Sequence, residues 1–218
     1  MGWFDWFCKP TNVEIVGDRI WMNRQAKFAG LASELRQGLT DARVPFAILL
    51  VAHFEDCLDE VRSLAQSLGA TSKPVLPISA GELGKVYSRS SAAGHVLANP
   101  PDDRTTFLQL AVAERHPHPS HDQDLVDFAR SAPFRCRIVH HVSLEDAVMR
   151  AFAGRWVEQV LGRLGMKEDE AIESSMVARR IQAAQKSIEQ KATGDAPAKS
   201  AKEWFEKNCR ELWRNIEE

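Results

Sequence analysis

The sequence lacks the patterns that mark membrane-spanning, secreted and disulfide-rich proteins. Its four cysteines, Cys8, Cys57, Cys136 and Cys209, are far apart and form no CxxC pair. Scattered single thiols are typical of a reducing cytosol and argue against a disulfide framework. The first residues contain neither the basic segment nor the apolar core of a signal peptide, and no apolar run approaches the length of a transmembrane helix. We therefore expect a soluble cytoplasmic protein.

No excess of one charge is present either. The 28 Lys and Arg residues nearly balance the 30 Asp and Glu residues, so the formal net charge is -2 and the pI is about 6.4. Such a chain has no positive field to attract nucleic acid or an anionic membrane, and we expect no nucleic-acid binding. The 218 residues contain no internal repeat and suffice for one domain of roughly 150 residues with an appendage.

Aromatic residues are concentrated in the segment 1–12, which we treat as a separate N-terminal segment. Docking of these rings onto the domain itself is the preferred interpretation, because burying a large aromatic ring is worth about 2 kcal/mol or more. Contact with a protein partner and peripheral insertion into a membrane interface are the alternatives. The four residues are Trp3, Phe4, Trp6 and Phe7.

Between residues 13 and 142, short apolar segments alternate with helical segments. The almost wholly apolar run "FAILLVAH", at 46–53, is typical of a strand buried on both faces. In the segment 23–39 apolar residues recur at spacings of three and four, which indicates one face of a helix. This alternation predicts an α/β domain with a parallel sheet covered by helices on both faces. The predicted strands are 13–22 (one strand or a pair of short strands), 46–53, 73–79, 105–113 and 134–142, with a short one at 95–98, and the predicted helices are 23–39, 55–70, 80–89 and 122–130.

A helical extension is predicted at 143–218, where the apolar spacing changes. "SLED" is a capping-box pattern, with Ser143 as the N-cap and Asp146 three residues later. Apolar residues then recur every four positions to residue 164, and Ile172, Met176 and Ile181 mark the inner face of a second helix at 168–190. A linker is predicted near 191–201, followed by one final amphipathic helix. Its aromatic residues, which we expect to be exposed and available to a partner, are Trp204, Phe205 and Trp213.

The stretch "AERHPHPSHDQD", at 113–124, directly follows a predicted strand and gathers three histidines. Ligands collect at the carboxyl ends of parallel strands, so His116, His118 and His121 are candidate metal ligands. A zinc site needs three such ligands and an open position for water, and this set would then serve a metal-dependent hydrolase. Structural or solvated histidines are the preferred interpretation, since two prolines stiffen the segment and can hold the imidazoles apart.

The block "SLEDAVMRAFAGRWVEQVLGRLGMKEDEAIESSMVARRIQAAQKSIE" resembles the SecA preprotein translocase ATPase. In that family the corresponding segment closes the second nucleotide-binding domain and leads into a helical scaffold. Upstream, "DRIWMNRQAKFAGLASEL", "FAILLVAHFEDCLDEVRSLAQSLGA" and "AVAERH" are similar to successive segments of the same domain. The resemblance covers roughly residues 13–189 and implies a single RecA-like domain of the P-loop NTPase type.

The resemblance also implies that ATPase function has been lost. The sequence contains no GxxxxGK[ST] motif, and "GELGKV" at 81–86 has the wrong spacing and no hydroxyl after its lysine. The family's "GRGTDI"-type loop, expected near "NPPDDR", is also absent. The positions that match the family's three arginines hold Val126, Phe128 and Ser131, and the neighbouring Arg130 is out of register. Loss of an arginine finger alone can lower the rate about a thousandfold or more.

We therefore expect no catalytic residues, no bound ATP and no other cofactor, with zinc at the histidines as the alternative. A stand-alone module of this kind would act by binding a protein: a translocase component, an exported chain or a second copy of itself. The resemblance places the former nucleotide rim at Glu114, Arg115, His116, Asp122 and Arg130.

Overall fold

Six short strands form the parallel sheet that the alternating pattern predicts. The computed structural model describes residues 12–40, 45–69, 71, 73–86, 91–100, 106–151, 167 and 170–217. The strand order is β1-β6-β5-β3-β4, and β2 pairs with the carboxyl half of β6, beyond the part that pairs with β1. Every pairing between these strands is parallel. The strands are β1 (Val13–Ile15), β2 (Arg19–Trp21), β3 (Ala47–Ala52), β4 (Val75–Ser79), β5 (Leu108–Val112) and β6 (Cys136–Ser143).

Helices cover both faces of the sheet, as the fully apolar strands require. All six residues of β3 are buried, and alternate side chains point to opposite faces. Ile48 and Leu50 pack beneath α1 (Arg24–Thr40) and α2 (Glu55–Leu68). Leu49 and Val51 pack on the other side, where α4 (Pro119–Ser131) contributes Leu125, Phe128 and Ala129. Gly69 ends α2 with a φ of 66°, as expected for a C-terminal glycine.

The strand predicted at 95–98 is wrong, because these residues belong to the short helix α3 (Ala92–Leu97). The Ser91 side chain accepts a hydrogen bond from the backbone N of Gly94 at 2.8 Å and caps the helix. The helix then buries Ala93 and Leu97 against the main core. The segment Ala80–Lys85, predicted as the start of a short helix, forms a 3₁₀ helix.

The second helix of the C-terminal extension departs from the prediction in two ways. The second helix, α5 (Ser175–Lys191), begins after Ile172, which instead forms an antiparallel bridge with Ile20. Met176 was expected on the inner face of this helix, yet its side chain is 52% exposed. Of the helix predicted from 144 to 164, residues 147–151 are helical and 152–166 lie outside the described residues.

The final helix predicted from the sequence is two helices, α6 (Ala201–Asn208) and α7 (Arg210–Glu217). Asn208 provides the physical reason for the break. Its side-chain nitrogen donates to the carbonyls of Ala196 and Trp204, and its side-chain oxygen accepts from the backbone N of Ala196. The linker before α6 is therefore pinned to the helix end, and the chain turns at Cys209.

Within the described parts of the chain, no helix combines the length and the apolar character that a bilayer crossing requires.

Candidate functional site

A cluster of polar side chains lies at the carboxyl edge of the sheet, where β3, β5 and β6 end next to one another. β3 is followed by His53, β5 by Glu114, Arg115 and His116, and β6 carries His140 near its end. Because parallel strands end at the same edge, residues far apart in sequence meet here. We call this cluster the rim.

Asp122 is the centre of the hydrogen-bond network in the rim. Its carboxylate accepts from Arg115 Nη1 at 3.0 Å and from Gln185 Nε2 at 2.6 Å. The Nε2 of His53 lies 3.1 Å from the same carboxylate. Arg115 also donates to Asp18 at 2.6 Å, so its guanidinium bridges two carboxylates. His53, Arg115 and Gln185, which bond to Asp122, come from different elements or loops. Asp122 therefore holds the rim together.

The charges in the network reinforce one another. Burial alone would raise the pKa of Asp122, but the hydrogen bond from His53 and the charge of Arg115 outweigh it and hold the pKa well below its usual range. Burial would likewise lower the pKa of Arg115, yet Asp122 and Asp18 raise it. Both groups are therefore charged at neutral pH.

Two further charged groups are buried beside the network. Lys27 Nζ lies 2.8 Å from Asp146, which also accepts hydrogen bonds from the backbone N and Oγ of Ser143. Ser143, predicted as the N-cap of a helix, is instead the last residue of β6, and the helix begins at Ala147, so the "SLED" pattern supplies a buried counterion for Lys27. Glu114 Oε1 accepts from the backbone N of His53 and of Phe54, both at 3.1 Å. Burial raises the pKa of Glu114, against the opposing charge of Lys27.

Two of the three loop histidines predicted as metal ligands come together, and the third does not join them. The rings of His116 and His121 are 3.8 Å apart between centroids. The Nδ1 of His118 instead lies 2.7 Å from Ser120 Oγ and caps α4, with its ring 6.3 Å from that of His121. Asp195, from the linker before α6, takes the third position, since its Oδ2 lies 2.7 Å from His121 Nε2.

His116, His121 and Asp195 form a group in which one potential ligand atom from each residue lies within 4.8 Å of the others. His116 is buried and packs against Phe54 on one side and Trp204 on the other. Burial, with the neighbouring His53 and His121, lowers the pKa of His116 to about 2, so its imidazole is neutral. A neutral imidazole is the form that binds metals.

The two histidines on β6 are buried without hydrogen bonds. Neither ring nitrogen of His140 or of His141 has a hydrogen-bond partner within the described structure. His140 lies 4.0 Å from Asp18 and 3.9 Å from Asp122. His141 points to the opposite face and stacks on Trp21. Burial lowers the pKa of His140 well below its usual value and that of His141 to about 3.

Of the residues assigned to the former rim, Arg130 does not lie there. It is exposed at the far end of α4, paired with Asp127 at 3.2 Å, and about 12 Å along the helix axis from Asp122. The reason is that α4 starts at the rim and runs away from it. Glu114, Arg115, His116 and Asp122 do lie together.

The expectation that the C-terminal aromatic residues are exposed is wrong. Trp204, Phe205 and Trp213 are 1%, 0% and 6% exposed, because they pack with Phe54 and Ile188 into a separate core cluster. They fasten α6 and α7 onto the rim and cannot present a partner surface. The predicted contacts Trp3, Phe4, Trp6 and Phe7 lie outside the described residues.

Four residues that complete the site were missed from the sequence. Asp18, Lys27, Gln185 and Asp195 lie in an unremarkable turn, two helices and a linker. Only Gln185, of these four, could have been found from its neighbours in the sequence. It is a polar residue on the buried side of α5, together with Ile181 and Ala184. A buried amide requires hydrogen-bond partners, which here are Asp122 and the carbonyl of His116.

Comparison with known proteins finds similarity to SecA over a short stretch. Fifty residues are 60% identical to part of protein translocase subunit SecA 1 of Rhodopirellula baltica. Forty-nine residues are 53% identical to SecA of Koribacter versatilis and 47% identical to SecA of Stenotrophomonas maltophilia. The matched stretches make up 22% to 23% of this chain and 4% to 5% of the relatives, so the chain spans only a small part of their length. No family model matches. The chain carries a SecA-like region, as the resemblance predicted.

Proposed function

We propose that this protein is a SecA-like binding module that acts in protein translocation without hydrolysing ATP. The relatives named above are protein translocase subunits, and the SecA-like region here is joined to a parallel α/β sheet. The observation that carries the proposal is the closure of the rim by the protein's own C-terminal helices. This function is an inference from that closure and from the missing motifs.

The closure involves direct contacts from two of these helices. Gln185, on α5, donates to Asp122 and to the carbonyl of His116 across the end of the sheet. Trp204, on α6, packs its ring on His116 with 5.5 Å between centroids. A nucleotide sandwiched at the carboxyl edge of such a sheet would need the space that these side chains fill.

The charges at the rim also oppose phosphate binding. The guanidinium of Arg115 is already shared between Asp18 and Asp122, so its charge is neutralised inside the protein. A triphosphate approaching Arg115 would meet these two carboxylates. Like charges in a poorly solvated site repel strongly. Arg130, the arginine nearest in sequence to the family's motif, is directed away from the rim and pairs with Asp127.

The first test is ATP turnover and binding with purified protein in the presence of Mg²⁺. We expect a rate at background and no retention of a fluorescent ATP analogue. Turnover that Arg115→Lys abolishes and Arg130→Ala leaves intact would overturn the proposal. Arg130→Ala is the matched control because this side chain is exposed and away from the rim.

The second test is protein binding with defined probes. Purified SecA, an unfolded signal-bearing precursor and the protein itself would each be titrated by calorimetry or analytical ultracentrifugation. We expect one of the three to bind with the same affinity in the absence of nucleotide and with ATP or ADP. Failure of all three, or affinity that depends on nucleotide, would contradict the proposal.

A further inference from the structure

The site formed by His116, His121 and Asp195 is suited to a metal ion. We propose that these three side chains bind one Zn²⁺, and that the ion ties the linker before α6 to the loop between β5 and α4. The inference is independent of the proposed function, since it concerns how the rim is closed and not what the module binds.

The donor atoms are of the right type and nearly in place. Tetrahedral zinc at about 2.0–2.2 Å from its ligands separates neighbouring donor atoms by roughly 3.3 Å. The Nε2 of His121 and the Oδ2 of Asp195 are 2.7 Å apart, and all three donor atoms lie within 4.8 Å of one another. Small side-chain adjustments suffice to reach zinc geometry. Two imidazoles and one carboxylate leave a fourth position for water.

The hydrogen bonds around the site set the ring orientation of His116. Its Nδ1 lies 3.2 Å from the carbonyl oxygen and 3.0 Å from the nitrogen of His118. The backbone N–H of His118 donates to Nδ1, so without a metal ion the proton of the neutral imidazole lies on Nε2. Binding of Zn²⁺ through Nε2 requires the other tautomer, in which Nδ1–H donates to the His118 carbonyl 3.2 Å away. Donation from the second ring nitrogen to a backbone carbonyl is the usual support of a metal-binding histidine.

Asp195 is oriented in a similar way. Its Oδ1 accepts a hydrogen bond from Trp204 Nε1 at 2.8 Å, which leaves Oδ2 to face His121. Trp204 is almost fully buried, so the indole holds the carboxylate in a fixed position. Trp204 is thus a positioning residue for the proposed ligand.

The neighbouring His118 provides a natural control. It belongs to the same loop, but its Nδ1 caps α4 through Ser120 and it lies outside the group of convergent ligand atoms. His95 is a second control, because it is an exposed histidine on α3. If the ligands were His116, His118 and His121, metal binding would require His118. If they are His116, His121 and Asp195, metal binding does not require it.

The experiment is metal binding by untagged full-length protein. Zn²⁺ content after dialysis would be measured by mass spectrometry, and Co²⁺ would be titrated as a spectroscopic substitute. We expect one ion per chain and a Co²⁺ absorption band typical of four-coordinate nitrogen and oxygen ligands. His121→Ala and Asp195→Asn should each weaken binding at least tenfold, and Trp204→Phe about tenfold. His118→Ala and His95→Ala should leave the affinity within twofold.

Two outcomes would overturn the assignment. One is wild-type protein that binds less than one Zn²⁺ per chain at micromolar concentrations. The other is His118→Ala that removes binding while Asp195→Asn retains it. His121 and Asp195 are each 37% exposed, so their substitution leaves the core intact, and circular dichroism of each variant would verify folding.

Discussion

Two pairs of histidines at the rim differ completely in their surroundings. His116, in the loop after β5, and His121, in the first turn of α4, contact each other and face the carboxylate of Asp195. His140 and His141, adjacent on β6, have no hydrogen-bond partner within the described structure and point to opposite faces of the sheet. A loop and the helix that follows it can bring their side chains to one point, whereas successive residues of a strand point to opposite faces.

The difference shows that the density of histidines in a sequence does not identify a ligand site. The loop pair has one buried and one partly exposed ring, and its nitrogens can reach a carboxylate. The strand pair is held neutral in the interior, with lowered pKa values and no partner within hydrogen-bonding distance. The four predictions below test these surroundings, from the largest expected effect to the smallest.

The largest effect is expected from Asp122→Asn. Asp122 faces His53, Arg115 and Gln185, and removing its charge leaves the buried guanidinium with Asp18 alone. Breaking a buried ion pair by removing one partner costs about 3–5 kcal/mol. We expect this loss in the free energy of unfolding measured with urea. Asp124→Asn, on the exposed side of the same helix, should change it by less than about 0.5 kcal/mol. Equal effects of the two substitutions would show that the network does not hold the rim.

A smaller effect is expected from Gly30→Ala, which acts on the strand pair. A Cβ atom at Gly30 would lie 1.8 Å from the Trp21 ring, the ring on which His141 stacks. Overpacking of this kind costs about 1–3 kcal/mol. Gly38→Ala is the control in the same helix, because no atom of the described residues lies within 4 Å of a Cβ built there, and alanine should stabilise the helix by about 1 kcal/mol. Thermal unfolding would reveal the opposite signs, and stabilisation by Gly30→Ala would contradict the packing.

The pH dependence of stability tests the burial of one histidine from each pair. In the folded state the pKa is about 2 for His116 and about 3 for His141, against an ordinary value of 6.5. These groups are neutral when folded, so their stabilisation is complete above pH 6.5 and is lost as the pH falls toward the folded pKa. Because the unfolded chain takes up these protons more readily, His116 and His141 should each lower the free energy of unfolding by about 1 kcal/mol when the pH falls from 7 to 5.5.

Asp122 has a lowered pKa, and its stabilisation is lost only below the ordinary range of a carboxyl group, so it does not contribute in this interval. Urea unfolding at pH 7 and pH 5.5, with a chelator present, would measure the change. His141→Phe keeps the ring stacking and should remove one histidine's share of the pH dependence. A free energy of unfolding that is constant between the two pH values would contradict the burial of these rings.

The smallest effect is expected from His118→Ala. His118 caps α4 by accepting from the backbone N of Ser120, and loss of a cap costs up to about 1 kcal/mol. His118→Asn should restore most of this stability, since asparagine is a good N-cap residue. Thermal unfolding would measure both variants. A loss well above 1 kcal/mol that His118→Asn does not restore would indicate that His118 has a role beyond capping.

The sheet was predictable because its signals are local. The runs at 46–53 and 134–142 each correspond to a strand, β3 and β6, and the helices α1, α2 and α4 follow from apolar spacing. The short elements were not predictable in the same way. The "HVLA" segment has a strand-like composition, but the Ser91 cap and the burial of Leu97 make it helical.

The candidate site was predictable only in part. The alternation of strands and helices and the position of "AERH" after a predicted strand indicated that Glu114, Arg115 and His116 lie at the carboxyl edge. No local signal pairs His121 with Asp195, which is 74 residues away, or Asp122 with Gln185, which is 63 residues away. Such contacts depend on where the C-terminal helices dock.

The sequence by itself therefore determined the parallel α/β sheet and the SecA-like region, because each depends on residue types at short spacing. Only the tertiary structure decided that the C-terminal helices fold back over the rim and that Asp195 takes the place expected for His118. The aromatic residues of α6 and α7 are the physical reason. They bury their rings against Phe54 and Ile188, and this packing carries the linker to the histidines.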